Sequence, residues 1–133
     1  MKTLKFLFAA IPFLLMSFVV TTQTNQPNKW RFIADKNVHF GIDRDVIHIT
    51  GNDNYRQLKL KVTNAPLKIL DMKVHFENGD VFDVSIRSQI KQGGESRVID
   101  LPGASRSIRK IEFWYSPAKV LKGTARVAVW GRR

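Results

Sequence analysis

Four cations crowd the stretch from Arg97 to Lys110: Arg97, Arg106, Arg109 and Lys110 flank the loop Pro102-Gly103-Ala104-Ser105. A guanidinium presents a planar fork of N–H donors that matches phosphate or carboxylate. A Gly-Ala-Ser loop leaves backbone N–H groups free to add to such a site. Trp114 follows closely, with an indole that can stack on a sugar ring, and strand pairing is expected to bring Arg87 to the same wall. Arg87, Arg97, Arg106, Arg109, Lys110 and Trp114 are therefore the candidate residues for an anionic ligand. A competing use stays open for each. The arginines can pair with Asp83, Glu95, Asp100 and Glu112, and Trp114 can fill a second apolar layer with Trp30 and Trp130.

Other chemistry is poorly supplied. His39, His48 and His75 occur in no H-x₃₋₅-H or H-E-x-x-H spacing, so they read as surface or hydrogen-bonded histidines, and no metal or cofactor is expected. Asp43, Asp45 and Asp53, with Asn52 and Asn54, offer the oxygen ligands that calcium takes. The D-x-D-x-D-G spacing is absent, Arg44 stands between two of the carboxylates, and turn chemistry accounts for the group. No G-x-S-x-G elbow is present. With no cysteine in the chain, thiol nucleophiles, redox work, thiolate metal sites and disulfides are all excluded. No catalytic residue is assigned. A hydrolase of envelope polysaccharide acting through Asp43, Asp45 and Asp53 remains as the alternative reading.

These side chains must be positioned by strands. After residue 30 the apolar pattern has period two, and no stretch keeps a helical period over two turns. Leu58, Leu60 and Val62 alternate with Lys59, Lys61 and Thr63. Leu70, Met72, Val74 and Phe76 alternate with Asp71, Lys73, His75 and Glu77. Past Asn78-Gly79, Phe82, Val84 and Ile86 alternate with Asp83, Ser85 and Arg87. A two-residue turn would set Val74 against Asp83 and mix the faces. A three-residue loop, Glu77-Asn78-Gly79 with Gly79 left-handed, pairs Val74 with Phe82, Met72 with Val84 and Leu70 with Ile86. Further strands are expected at Trp30–Ala34, Val46–Thr50, Val98–Leu101, Lys110–Tyr115 and Ala125–Val129, with Val120 and Leu121 over an open end of the core. Seven or eight short strands of this kind predict an all-β, antiparallel β-sandwich. Ile111, Phe113, Tyr115, Val127 and Val129 are expected to complete its core.

The start of the chain reads as an export signal. Met1 to Lys5 is short and basic, Phe6 to Val20 is almost unbroken apolar sequence, and Thr21, Thr22, Gln23 and Thr24 form a small, polar exit. The apolar run is shorter than the ~20 residues that cross a bilayer as a helix. Cleavage is expected after Thr24, or after Thr22, with an uncleaved N-terminal anchor as the alternative. That division gives a signal over 1–24, a linker over 25–29 and one domain over 30–133, exported to the periplasm or outside the cell. The whole chain carries 22 Lys+Arg against 11 Asp+Glu. Loss of Lys2 and Lys5 with the signal leaves 20 against 11, a net charge of +9. A field of that sign favours anionic partners: an anionic glycan or a lipid headgroup, with an envelope protein as a further partner. Export makes nucleic acid a poor fit, and a membrane is reached only through an uncleaved signal.

Three segments carry a resemblance. VHFENGDVFDV from Val74 to Val84, SRVIDLPGASRSIRKIEFWY from Ser96 to Tyr115 and GTARVAVWG from Gly123 to Gly131 resemble a family of small exported bacterial domains of unknown function. Its members pair a strand–NG–strand hairpin with an L-x-G-x-x-R-x-I segment and end on an aromatic-Gly strand. The resemblance implies an exported β-sandwich and brings no catalytic residues with it. The function expected is a non-catalytic binding or interaction module for an anionic partner. An assembly role through an uncovered edge strand is a further alternative.

Overall fold

A computed structural model describes residues 29–38, 43–116 and 124–133. The signal and most of the linker, together with His39, Val120 and Leu121, lie outside the described residues. The described chain forms nine strands: β1 (Arg31–Val38), β2 (Arg44–His48), β3 (Asn54–Tyr55), β4 (Gln57–Thr63), β5 (Leu67–Phe76), β6 (Val81–Ile90), β7 (Ile99–Asp100), β8 (Arg106–Ser116) and β9 (Ala125–Arg132). They make two antiparallel sheets. One has the order β1-β9-β4-β7; the other runs β2-β8-β5-β6, with β3 also paired to β8. The chain changes sheets at Arg56, between Tyr55 on β3 and Gln57 on β4. The fold is all-β, as the period-two pattern requires.

The inner faces meet in one apolar layer. Leu58, Leu60, Val62, Val127 and Val129 from the four-stranded sheet oppose Met72, Val74, Ile111, Phe113 and Tyr115 from the other, and all are essentially inaccessible. The alternation identified these side chains but not their sheets. β8 is the hydrogen-bonded neighbour of β5, whereas β4 and β9 lie across the core.

The β5–β6 hairpin has the bulged register. Val74 pairs with Phe82 and Met72 with Val84, and Gly79 has φ 94°. Phe76 N–H donates to the Asp80 carbonyl at 2.9 Å, closing a three-residue loop. Farther along, the expectation fails. Ile69 pairs with Ser88 and Asp71 with Ser85, so Ile86 and Arg87 together oppose the single Leu70. On the other side Ile69 pairs with Tyr115 and Asp71 with Trp114, leaving Leu70 without a partner on β8. Leu70 is therefore a bulge residue and half-buried, not a core residue paired with Ile86. Phe82, nearer the open edge, is also only partly buried. The physical reason is the phase of the strand. Leu67 and Ile69 are fully buried on one side of the bulge, and Met72 and Val74 on the other. One extra residue is what allows odd and then even positions to face inward.

Edges are managed by side chains and loops. On the flank of β4, Gly93 N–H donates to the Val62 carbonyl (2.7 Å), Val62 N–H to the Gly94 carbonyl (3.0 Å) and Ser96 N–H to the Leu60 carbonyl (2.8 Å). On the open edge of β6, Arg97 donates to the carbonyls of Ser85 (2.5 Å) and Ile86 (3.3 Å). On β2, Lys36 takes the Val46 carbonyl at 3.2 Å. These contacts occupy groups that would otherwise recruit another strand. At Gly131, a Cβ would stand 2.6 Å from Tyr55 Cδ1 and 2.7 Å from Ile33 Cδ1, so the close approach of these side chains to β9 requires glycine.

Two predictions follow from this packing. Phe113→Ala should cost about 3–5 kcal/mol through the cavity it leaves, and Val74→Asp a comparable amount through a buried charge. Lys73→Ala and Asp83→Ala, on the outer face, should each change stability by less than about 0.5 kcal/mol in urea melts. Equal sensitivity of the two pairs would contradict the register. Gly131→Ala should lower stability by about 1–3 kcal/mol through overpacking, read by the same melts.

Candidate functional site

The outer face of the five-stranded sheet is a grid of polar side chains set by register. One row across the strands holds Arg44, Trp114, Asp71 and Ser85; the next holds Val46, Glu112, Lys73 and Asp83; the third holds His48, Lys110, His75 and Val81. Between β8 and β6 the face is concave. A depression of about 450 Å³ is walled by Trp114, Asp71, Lys73, Asp83, Ser85 and Arg87 over Met72 and Val84. Arg44 and Lys73 each stand 5.8 Å from the Trp114 ring centroid, on strands to either side. Arg87 has φ 42°, a conformation that costs a non-glycine residue on the order of 1–3 kcal/mol, and it lines this depression.

The second row contains a carboxylate anchor. Glu112 is only 8% exposed although it points away from the core. Arg44 donates Nε–H to Oε2 at 2.9 Å and a second N–H from Nη2 to the same oxygen, and His75 Nε2 lies 2.5 Å from Oε1. Strands β2, β8 and β5 are thus joined through one side chain beside Trp114. The Arg44 guanidinium, and then His75, hold the Glu112 carboxyl below its ordinary value against the opposing effect of burial. On the inner rim, Tyr115 donates its hydroxyl to Asp45 at 3.0 Å. Burial, and then that carboxylate, push the phenol up.

The six candidate residues do not form one cluster. Arg87 and Trp114 share the depression. Arg97 is committed to the β6 carbonyls. Arg106 straps the hairpin to the 102–105 loop: it pairs with Asp80 at 2.9 Å, donates to the Pro102 carbonyl at 3.1 Å and covers the Phe76 ring at 3.9 Å. Arg109 and Lys110 lie on β8, and their side chains, like that of Arg87, make no hydrogen bond or ion pair among the described residues. The pairings expected for the arginines are replaced by shorter routes across the sheets. Asp83 pairs with Lys73, Glu95 with Lys59 and Glu112 with Arg44, while Asp100 accepts from Gln57. Nor do the three tryptophans form a layer. Trp114 is on the five-stranded sheet, whereas Trp130 is on β9 and Trp30 lies against Lys59 of β4 and Arg132 of β9, on the far side of the molecule.

The acidic residues near β2 are dispersed as well. Asp45 is held by Tyr115 and by Lys36 at 3.3 Å, and Asp53 pairs with Arg133 at 2.6 Å. Among the described residues no group of three or more His, Asp or Glu is arranged to hold a metal ion. Sequence reasoning passed over Asp71, Lys73, Asp83 and Ser85 as wet-face residues, and took Arg44 only as a cation between two carboxylates. The bulged register was the signal that could have found the first four, because it sets Asp71 and Lys73 directly beside Ser85 and Asp83.

Because its folded pKa is depressed, Glu112 contributes stability fully above its ordinary value of 4.5 and loses that contribution as pH falls through 4.5 toward the folded value. Glu112→Gln should therefore be less stable than the wild type at pH 7, by on the order of 1 kcal/mol because Arg44 is half exposed and screened. The difference should shrink as melts are taken below pH 4.5. A difference independent of pH would show that the carboxylate charge plays no part.

A fold comparison finds this architecture elsewhere. The structure is similar to AlgX of Pseudomonas aeruginosa, with a TM-score of 0.53 and 13% sequence identity over 77% of this chain. It spans 26% of that protein, and at this identity the likeness is one of fold alone. No curated protein matches the chain. The sequence itself is more specific than the fold: the family model "Domain of unknown function (DUF2541)" matches residues 12–131, nearly the whole chain, and this protein belongs to that family.

Proposed function

We propose that this protein is an exported, non-catalytic binding module that holds an anionic glycan on the outer face of the five-stranded sheet. The reading is carried by one observation: a half-buried Trp114 and an unpaired Arg87 wall the same depression. A sugar ring stacks its C–H face on the indole. Asp71 and Ser85, in line with Trp114 across the strands, accept hydroxyl hydrogen bonds. Arg87 takes the ligand's acidic group, helped by Lys73 and Arg44 on either side of the ring. The strain at Arg87 fits this use, since a costly backbone conformation is retained where it aims a functional side chain.

Three observations weigh against the alternatives. A carboxyl that protonates a leaving group works from a desolvated pocket, but Asp71 is exposed and Asp83 is 76% exposed. Of the three carboxylates considered for hydrolysis, Asp45 and Asp53 are tied up in ion pairs and Asp43 is exposed. Assembly through an edge strand meets the side chains that already occupy the edges of β6 and β2.

Calorimetric titration with dextran sulfate, with neutral dextran of equal length as control, tests the reading. The charged polymer should bind and weaken as salt rises, and the neutral one should bind far less. Trp114→Ala should weaken binding by roughly tenfold, equivalent to about 1.4 kcal/mol, a loss that a purely electrostatic contact would not show. Arg87→Gly should weaken binding without lowering the melting temperature, because relief of about 1–3 kcal/mol of strain exceeds the roughly 0.5–1 kcal/mol entropic cost of glycine. Undiminished binding by Trp114→Ala would overturn the proposal. So would equal affinity for neutral dextran.

A further inference from the structure

The opposite face has a different chemistry. On the outer side of the four-stranded sheet Phe32 is 51% exposed and packs edge-on against Trp130, with ring centroids 5.7 Å apart at 76°. Beside them, Lys59 Nζ lies 4.5 Å and the Arg132 guanidinium 4.7 Å from the Trp30 ring. Here Arg126 pairs with Asp35 and Lys59 with Glu95, and Arg132 donates to the Gln57 side-chain oxygen. The Trp130 indole N–H is buried without a hydrogen-bond acceptor. The edge contact at Trp130 makes a poor flat platform for a sugar. Aromatic bodies rimmed by basic side chains are instead the composition that rests at a water–lipid interface.

The route of the chain points the same way. It enters the described fold on this face, at Lys29 and Trp30. The preceding sequence contains the apolar run Phe6–Val20, which leaves only residues 21–29 as a tether. Nine residues reach at most about 30 Å even when fully extended. A bilayer holding that run is therefore within reach of Phe32 and Trp130, while the Trp114 side is a whole domain away. No helix among the described residues is long and apolar enough to cross a membrane, so the fold can meet the bilayer only by lying on it or through strands.

We infer that the aromatic face of the four-stranded sheet is a membrane-contact surface. In the full chain, with Phe6–Val20 present, it seats Phe32 and Trp130 in the headgroup layer of an anionic bilayer and turns the Trp114 face outward. The basic excess of the chain favours the anionic surface. This inference is independent of what the Trp114 face binds.

The test is fluorescence quenching of the full chain in vesicles of phosphatidylcholine and phosphatidylglycerol that contain lipid brominated near the headgroup. Two variants each keep one reporter: Trp30→Phe with Trp114→Phe leaves Trp130, and Trp30→Phe with Trp130→Phe leaves Trp114. Both lack the tryptophan nearest the apolar run, so proximity in sequence favours neither. Trp130 should lose fluorescence as brominated lipid is added, Trp114 should not, and Phe32→Ser should reduce the loss at Trp130. If the Trp30→Phe background fails to fold, Trp114→Phe alone should be quenched by a larger fraction than the wild type. Equal quenching of the two reporters, or none at Trp130, would overturn the inference, and a soluble, unquenched protein would do the same.

Discussion

The bulge at Leu70 is the constraint on which this architecture turns. β5 runs through the middle of its sheet and must bury side chains along its whole length, yet the apolar residues on its two halves are out of phase. Leu67 and Ile69 belong to one phase, Met72 and Val74 to the other. A regular strand would expose one set to water, and at about 25 cal/mol per Å² of apolar surface that loss is prohibitive for a domain of this size. The extra residue reconciles the phases. With no cysteine in the chain, no cross-link can compensate for a defective core.

The same irregularity organises the outer face. Because Leu70 is set aside, Asp71 stands beside Trp114, and on β6 the two-against-one pairing forces Arg87 into a positive φ at the rim of the depression. Packing and candidate recognition thus share one cause. Glu112 supports the arrangement from the next row by joining Arg44 and His75 across three strands. The two outer faces differ in how they use their charges. On the Trp30 and Trp130 face Arg126 and Lys59 pair with carboxylates, whereas Arg87, in the depression with Trp114, has no side-chain partner among the described residues. That asymmetry marks the Trp114 face as the one suited to a discrete ionic ligand.

Much of the fold was legible in the residues. Period-two alternation identified the strands, and the mismatch of Val74 with Asp83 in a tight turn was enough to select the three-residue loop. The alternation could not reveal which strands are neighbours, because a side chain's face says nothing about the sheet across from it; hence β8 and β9, both apolar, were not assigned to different sheets. It also missed the bulge, since Leu70 continues the apolar pattern without a break and only the burial of Ile69 on the other phase betrays it. The candidate site was legible in part. Arg87 and Trp114 come together, but Arg97 and Arg106 are close to Trp114 only in sequence. Their guanidiniums answer nearer demands, the open carbonyls of β6 and the turn at Asn78 and Asp80.

The central claim is that recognition resides on the Trp114 face. Heteronuclear NMR with an anionic oligosaccharide tests it most directly, because each face carries its own indole N–H reporter. The account predicts that signals of the Trp114 side chain and of the Ser85, Arg87 and Lys73 amides shift together with one affinity, while those of Trp30 and Trp130 stay in place. Shifts centred on Trp30 and Trp130, or spread evenly over all the basic side chains, would contradict it.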